Sequence, residues 1–325
     1  MEEGEIKRIG ILTSGGDAPG MNASIRAVVR MGAYLGLEVF GIERGYDGLI
    51  EGDIHQLGPR DVSDIIQRGG TMLRSARSEA FTTDEGFRRA MDMLETFRID
   101  GLVVNGGNGS LKGALDLSRA GIRTVGLPGT IDNDLPYTDV CIGFDTAVNT
   151  ALYAISNIRD TSASHERVTI IEVMGRECGD IAVHAGLTGG AEIILVPEEP
   201  VDIHEVCRSL IESRNKGKKS SIIVKAEGVD IDANTLDDEI TSRTGLDVKV
   251  VILGYLQRGG TPTAYDRMLA SMLGARAVEL LKDGVHGVAL GMVKGEIVWP
   301  ELGEALSRKE RKTAPLYNLA RLLSL

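Results

Sequence analysis

LVVNGGNGSLKGA, residues 102–114, is the stretch that decides the fold. Its apolar start runs into a cluster of glycines, and the residues after Ser110 have a spacing that can continue as a helix. A strand that leads through a glycine turn into a helix N-terminus offers backbone N–H groups that bind phosphate. The turn contains no carboxylate, which raises the question of what would hold magnesium beside a bound nucleotide.

The same pattern extends along the whole chain. Short runs rich in isoleucine, valine and leucine, such as those at 9–14, 168–173 and 221–226, alternate with stretches of helical periodicity. Runs of this kind are typical of parallel strands buried on both faces. Their number predicts an α/β fold with two Rossmann-like, doubly wound domains and mainly parallel sheets. Glycines interrupt the pattern near residues 140 and 254, and we expect one domain at 1–142 plus 255–305 and a smaller one at 143–254 plus 306–325.

Composition excludes several classes of protein. The 325 residues carry a net charge of −11, which argues against general nucleic-acid binding. The three cysteines are odd in number and lack metal-ligand spacing, which is typical of reduced thiols in the cytosol. The N-terminus has no apolar core, and no apolar run approaches the roughly 18 residues of a membrane helix. We therefore expect a soluble cytoplasmic protein without membrane contacts.

Four glycine-rich turns follow apolar runs, at residues 13–20, 105–110, 127–134 and 256–262. In parallel sheets the ligand crevice lies at the carboxyl ends of the strands, so these turns are expected to line it. The P-loop pattern GxxxxGK[ST] is absent, and the dinucleotide pattern GxGxxG fails because Lys112 stands at its third glycine. The second absence disfavours an oxidoreductase.

Charged side chains near these turns suggest the chemistry. Asp132 and Asp134 share one side of an extended segment, where one carboxylate could accept a substrate proton and the other could face a metal. Five arginines stand at predicted strand ends or beside glycines, and guanidinium groups bind phosphate oxygens bidentately. The spacing therefore predicts a ligand with several phosphates, near Arg77, Arg159, Arg167, Arg176 and Arg258.

Taken together, eight motifs resemble those of the bacterial 6-phosphofructokinase family. They occur in the family's order from about residue 7 to the C-terminal helix, and they read TSGGDAPGMNASIR, RGGTMLRSAR, GGNGS, PGTIDND, RDTSASHER, EVMGR, VPEEP and LQRGGTPTAYDR. The resemblance implies transfer of the γ-phosphoryl group of ATP to the 1-hydroxyl of fructose 6-phosphate, with Mg²⁺. It also implies that the larger domain binds the nucleotide and the smaller one the sugar phosphate.

The resemblance assigns roles to individual positions. Asp132 is the implied general base, and the other implied catalytic residues are Thr130, Arg77 and Arg176. The implied nucleotide-binding positions are Gly16, Arg77, Gly107, Asn108, Gly109 and Ser110, and the implied metal ligands are Asn108 and Asp134. The implied sugar-phosphate positions are Thr130, Asp132, Arg167, Met174, Gly175, Arg176, Glu227, Lys249, Tyr255 and Arg258.

Assembly and regulation are implied as well. Arg167 and Lys249 would reach in from a neighbouring subunit of a homotetramer. An effector site for ADP or phosphoenolpyruvate would use Arg26, Arg30, Arg159, Glu192, Lys216, Lys218 and Lys219. Pro59 stands where an effector arginine is expected, with Arg60 one place further on.

Three residues depart from the family's pattern. Asn108 replaces an aspartate expected at magnesium, Lys249 replaces an arginine, and Tyr255 replaces a histidine. They leave two alternatives open: a weakly active paralogue that binds sugar phosphate as a regulatory subunit, or a kinase for another ketose phosphate. Gly109 and Gly129 match the family's ATP-using members, which carry glycine where pyrophosphate-using members carry aspartate and lysine.

Overall fold

The computed structural model describes residues 5–308 and 314–323. Apolar runs form most of the strands, as the pattern predicted. The strands are β1 Arg8–Ser14, β2 Glu38–Ile42, β3 Ile54–Leu57, β4 Gly101–Gly106, β5 Arg123–Pro128, β6 Val168–Val173, β7 Ile193–Leu195, β8 Ser221–Ala226, β9 Val248–Ile252, β10 Val288–Ala289, β11 Gly291–Val293 and β12 Glu296–Val298.

Helices fill most of the intervals between the strands. They are α1 Met21–Tyr34, α2 Tyr46–Glu51, α3 Asp84–Thr96, α4 Asn108–Arg119, α5 Phe144–His165, α6 Asp180–Thr188, α7 Ile203–Asn215, α8 Ala233–Thr244, α9 Ala264–Lys282, α10 Leu302–Ser307 and α11 Ala314–Leu323. Short 3₁₀ turns lie at Ala80–Thr82 and Gly254–Gln257.

The described residues form two compact units. The first contains residues 5–131, 135–146 and 258–308, and the second contains 132–134, 147–257 and 314–323. The first turn of α5 stays with the first unit because buried Asp266 holds it. The Asp266 carboxylate accepts hydrogen bonds from Gly143 N at 2.9 Å, Thr146 N at 2.8 Å and Thr146 Oγ1 at 2.5 Å. The expected domain limits after residues 142, 254 and 305 stay a prediction.

The first unit is built on a six-stranded sheet in the order β10-β5-β4-β1-β2-β3. All neighbours pair in parallel except β3, which runs antiparallel to β2 at the edge. Alternate strand residues supply two separate apolar cores: Ile9 and Ile11 pack with α1 and α9, whereas Leu12 packs with α2 and α4. Helices therefore cover both faces, which confirms the doubly wound prediction.

The second unit contains a fully parallel sheet in the order β7-β8-β6-β9. Its three longer strands are rich in isoleucine and valine, and helices α6, α7 and α8 occupy the crossovers between them. The predicted fold class, with mainly parallel sheets, is thus confirmed. Within the described ranges, no helix combines the length and the hydropathy that crossing a membrane requires.

Candidate active site

Three strand ends of the first unit lie level with one another. The register pairs Ser14 with Gly106 across β1 and β4, and Gly106 with Pro128 across β4 and β5. The turns that follow these strands, at 15–17, 107–110 and 129–131, are therefore neighbours at the carboxyl edge of the sheet. This is the place where parallel sheets bind ligands.

The turn after β4 leads directly into the N-terminus of α4. Its N-cap, Gly107, has extended backbone, no side chain caps this end, and the first turn contains no acidic residue. A Cβ atom on Gly106 would lie 2.5 Å from both Ser110 Oγ and Ser14 O, so glycine lets the two turns approach closely. An uncapped helix N-terminus of this kind attracts an anion such as a phosphate.

The two glycines associated with the phosphoryl donor differ in their surroundings. A Cβ on Gly109 would meet no protein atom within 4 Å, so this position faces open space. A Cβ on Gly129 would lie 1.9 Å from Oδ1 of the fully buried Asn105. Gly129 is therefore required by the packing of the protein itself, whereas Gly109 leaves room for a ligand.

Two hydrogen bonds attach the segment that carries Arg77 to the turn after β1. Ser75 Oγ donates to Gly15 O at 2.5 Å, and Gly15 N donates to Ala76 O at 3.1 Å. Arg77 is exposed and follows directly, so it stands beside the Gly15–Gly16 turn. Asn22, which the sequence analysis did not single out, holds the start of this segment, because its Oδ1 accepts a hydrogen bond from Met72 N at 2.7 Å.

Two further predicted residues lie among these turns. Arg258 belongs to the first unit, where its Nη1 donates to Asp17 O at 3.2 Å. A Cβ on Gly16 would lie 2.4 Å from this nitrogen, so the arginine needs glycine there. Thr130 is buried, and its Cβ faces Gly107.

The second unit holds Asp132 in a buried ion pair. Asp132 Oδ2 lies 3.3 Å from Nε of Arg176, and the Asp132 side chain is only 3% exposed against 48% for Arg176. Asn133, between the two aspartates, adopts a positive φ of 54° and donates through Nδ2 to Asp180 Oδ2 at 2.8 Å. The left-handed backbone of Asn133 interrupts the extended conformation that the sequence analysis expected between Asp132 and Asp134.

Glu227 organises the turn that carries Arg176. Val173 and Ala226 are in register at the ends of β6 and β8, so the residues after them are neighbours. The Glu227 carboxylate accepts hydrogen bonds from Gly175 N at 3.2 Å and Arg176 N at 2.8 Å. Met174 N donates to Oε1 of buried Gln257 at 2.9 Å, a contact that gave no signal in the sequence.

Asp134 has the features of a cation ligand. Its Oδ1 is buried without a hydrogen-bond partner among the described residues. Burial raises the pKa of this carboxyl group, against smaller opposing effects of its own backbone N–H and the Arg176 charge. A nearby cation would stabilise the ionised form. In the described part of the chain no cluster of three or more acidic, histidine or cysteine side chains could hold a metal ion.

Arg167 and Lys249 lie near the amino ends of β6 and β9, whereas Arg176 follows the carboxyl end of β6. Arg167 directly precedes β6, and Lys249 is the second residue of β9. Both pair with Asp247, at 3.3 Å and 2.9 Å. Because six residues of β6 span about 20 Å, this chain does not bring them to Arg176. Tyr255 is 84% exposed on a 3₁₀ turn after β9.

The predicted effector residues fall into two groups. Arg26 and Arg30 are four residues apart on α1 and therefore share one face. In the second unit Glu192 Oε1 pairs with Arg159 at 3.4 Å and with Lys218 at 2.5 Å. Lys216 and Lys219 are exposed and close to Lys218 in sequence, and Lys219 pairs with Glu166. Pro59 and Arg60 are exposed after β3.

Comparison with known proteins gives consistent results. The family model described as Phosphofructokinase matches residues 8–281. A relative from Clostridium tetani (strain Massachusetts / E88), named ATP-dependent 6-phosphofructokinase, is 53% identical over 319 residues, which are 98% of this chain and 100% of the relative.

The T-state phosphofructokinase of Pichia pastoris superposes with a TM-score of 0.93 and 32% identity over 99% of this chain. The phosphofructokinase of Saccharomyces cerevisiae superposes with a TM-score of 0.88 and 35% identity over 98% of this chain. The chain spans only 39% and 48% of the lengths of these two yeast chains.

Proposed function

The chain belongs to the phosphofructokinase family, and we propose that it is an ATP-dependent 6-phosphofructokinase. In this reaction the γ-phosphoryl group of ATP passes to the 1-hydroxyl of fructose 6-phosphate. The observation that carries the proposal is the buried carboxylate of Asp132, held by Arg176 beside a turn organised by Glu227. Phosphoryl transfer needs mainly positioning and charge neutralisation, which glycine turns and arginines provide.

We assign binding of the acceptor, fructose 6-phosphate, mainly to the second unit. Asp132 would accept the proton of the 1-hydroxyl as it attacks, with its carboxylate oriented by the Arg176 guanidinium. Met174, Gly175 and Arg176 would bind the sugar phosphate on the turn that Glu227 fixes. Thr130 and Arg258 of the first unit are further proposed ligands of fructose 6-phosphate.

We assign binding of the nucleotide, ATP, to the first unit. Its phosphates would lie on the uncapped N-terminus of α4, at Gly107, Asn108, Gly109 and Ser110, and against Gly16. Arg77 would offset negative charge on the phosphoryl group during transfer. The open space at Gly109 and the absence of any acidic residue in the first turn of α4 support a large anionic ligand there.

Mg²⁺ fits the residues of this chain. Asp134 Oδ1 is buried without a hydrogen-bond partner among the described residues, and burial raises the pKa of this carboxyl group. A cation bound there would stabilise its ionised form. Asn108 would contribute a neutral amide oxygen, and the ATP phosphates would supply the remaining charge. The ion would neutralise charge on the transferred group.

Assembly and regulation complete the proposal. We expect a cytoplasmic homotetramer in which Arg167 and Lys249 contribute to the site of a neighbouring subunit, since they lie at the amino ends of their strands, away from Arg176. ADP or phosphoenolpyruvate would bind through the basic residues of the predicted effector set. The Arg159–Glu192–Lys218 cluster supports this, because the Glu192 carboxylate keeps two cationic side chains close together, where both could contact an anion.

Initial rates of fructose 6-phosphate phosphorylation across a Mg²⁺–ATP titration test the proposal. The expected result is ATP-driven turnover, with Asn108→Asp mainly lowering the Mg²⁺ concentration required. Parallel reactions use pyrophosphate as donor and other ketose phosphates as acceptor. Negligible turnover with normal calorimetric binding of fructose 6-phosphate would refute the kinase and favour a regulatory subunit. Faster turnover of another ketose phosphate would correct the acceptor.

A further inference from the structure

Lys225 is a buried cation that the proposed chemistry does not use. Its side chain is only 1% exposed, and its Nζ donates to Glu172 Oε2 at 2.9 Å. The two residues are in register on β8 and β6, so their side chains leave the sheet on the same face. A buried ammonium group is costly unless it is paired and hydrogen-bonded, and Lys225 has both kinds of partner.

The second partner of Lys225 lies in the backbone. Nζ also donates to Ala226 O at 3.1 Å, and Glu227 N donates to Val173 O at 2.8 Å. Both polar atoms of the peptide between Ala226 and Glu227 are therefore held, one by the buried ammonium and the other by β6. This fixes the direction in which the Glu227 side chain leaves the backbone.

From Glu227 a continuous series of contacts reaches Asp132. The Glu227 carboxylate accepts from Arg176 N at 2.8 Å, and Arg176 Nε lies 3.3 Å from Asp132 Oδ2. Arg176 has a positive φ of 52°, which an L-residue adopts only when its surroundings impose it. A Cβ on Gly228 would lie 1.9 Å from Arg176 O, so the two turns are in close contact.

We propose that Lys225, together with Glu172, is a positioning residue for the sugar-phosphate turn. It holds the Ala226–Glu227 peptide, so that Glu227 fixes the Arg176 backbone and Arg176 in turn orients Asp132. The inference rests on the proposed function, since it assigns the acceptor to Glu227 and Arg176. Stability alone gives little reason for the pair, because apolar residues of similar volume often replace a buried ion pair without loss.

The test compares the apolar replacement K225M/E172L with a matched control, R243M/E239L, which removes an exposed ion pair of the same unit. For K225M/E172L we expect a melting temperature close to that of the parent and a KM for fructose 6-phosphate about tenfold higher. The KM for ATP should change less than twofold, because the first unit binds the nucleotide. The control should leave both constants unchanged. The single variant Lys225→Met leaves Glu172 uncompensated and should add a loss of stability to the same KM effect.

Unchanged KM values in a folded K225M/E172L protein would overturn the inference. An equal rise in both KM values with a lowered melting temperature would also overturn it, since that result indicates general loosening. Turnover by the parent protein decides the proposed function separately. If the parent has none, calorimetric binding of fructose 6-phosphate decides: about tenfold weaker binding by K225M/E172L supports the positioning role, and equal or absent binding in both proteins refutes it.

Discussion

Asp132→Asn separates the proposed chemistry from the fold, because asparagine keeps the size of the side chain and removes its charge. The Asp132 carboxylate is 3% exposed, whereas its partner Arg176 is 48% exposed. Without the carboxylate, Arg176 keeps much of its hydration, so the lost ion pair should cost at most about 1 kcal/mol. Asparagine also escapes the cost of burying a charge, which offsets that loss. The melting temperature should therefore change by only a few degrees.

Activity should respond quite differently. A positioned general base contributes about 10²–10⁴-fold to a rate, so kcat should fall by that factor, about 3–5 kcal/mol in the activation barrier. Initial rates of ADP release in a coupled spectrophotometric assay measure kcat, with thermal unfolding of the same samples as the control for folding. A folded variant that retains kcat within tenfold of the parent would refute Asp132 as the base.

Two further predictions concern the fold around the candidate site. Gly109→Ala should raise the free energy of unfolding by about 0.5–1 kcal/mol, because the new methyl group enters open space on a helix, whereas Gly129→Ala should lower it by about 1–3 kcal/mol through collision with Asn105. Denaturant titration measures both, and equal effects would contradict the packing argument. Burial, aided by the Asp145 charge, raises the pKa of Asp266 to about 6 against hydrogen bonds from Thr146 and Gly143. The unfolded chain therefore loses this proton first, and the stability contributed by Asp266 should fall by about 2–3 kcal/mol between pH 4 and pH 6. The difference in unfolding free energy between the parent and Asp266→Asn should follow this slope, and a difference independent of pH would count against it.

Periodicity and glycine placement were sufficient to predict the doubly wound sheets, because a parallel strand buried on both faces needs a continuous apolar run. The same rule fails for three short strands. The antiparallel strand β3 and the hairpin of β11 and β12 are short and partly exposed, so they lack such a run and were not predicted.

The candidate site was predictable to the extent that it lies at strand ends. The roles of its supporting polar residues were not predictable, although Asn22 and Gln257 lie within the recognised motifs, because these residues and Lys225 act through partners far along the chain. Glu227, for example, meets Arg176 across 51 residues because β6 and β8 are neighbours in the sheet. Strand order, which periodicity leaves open, decides such contacts.

The question raised by the carboxylate-free turn at 105–110 has an electrostatic answer. The N-terminus of α4 carries a positive partial charge, and with neither a cap nor an acidic residue in its first turn nothing on the helix competes with a phosphate. An aspartate at 108 would weaken that attraction while adding a metal ligand, whereas asparagine adds an oxygen without the charge. Under the proposed function, the anionic protein ligand of Mg²⁺ would be Asp134, whose Oδ1 is buried without a hydrogen-bond partner among the described residues. If Asn108 is a Mg²⁺ ligand as proposed, Asn108→Asp should strengthen Mg²⁺ binding in the absence of ATP more than in its presence, which isothermal titration calorimetry measures.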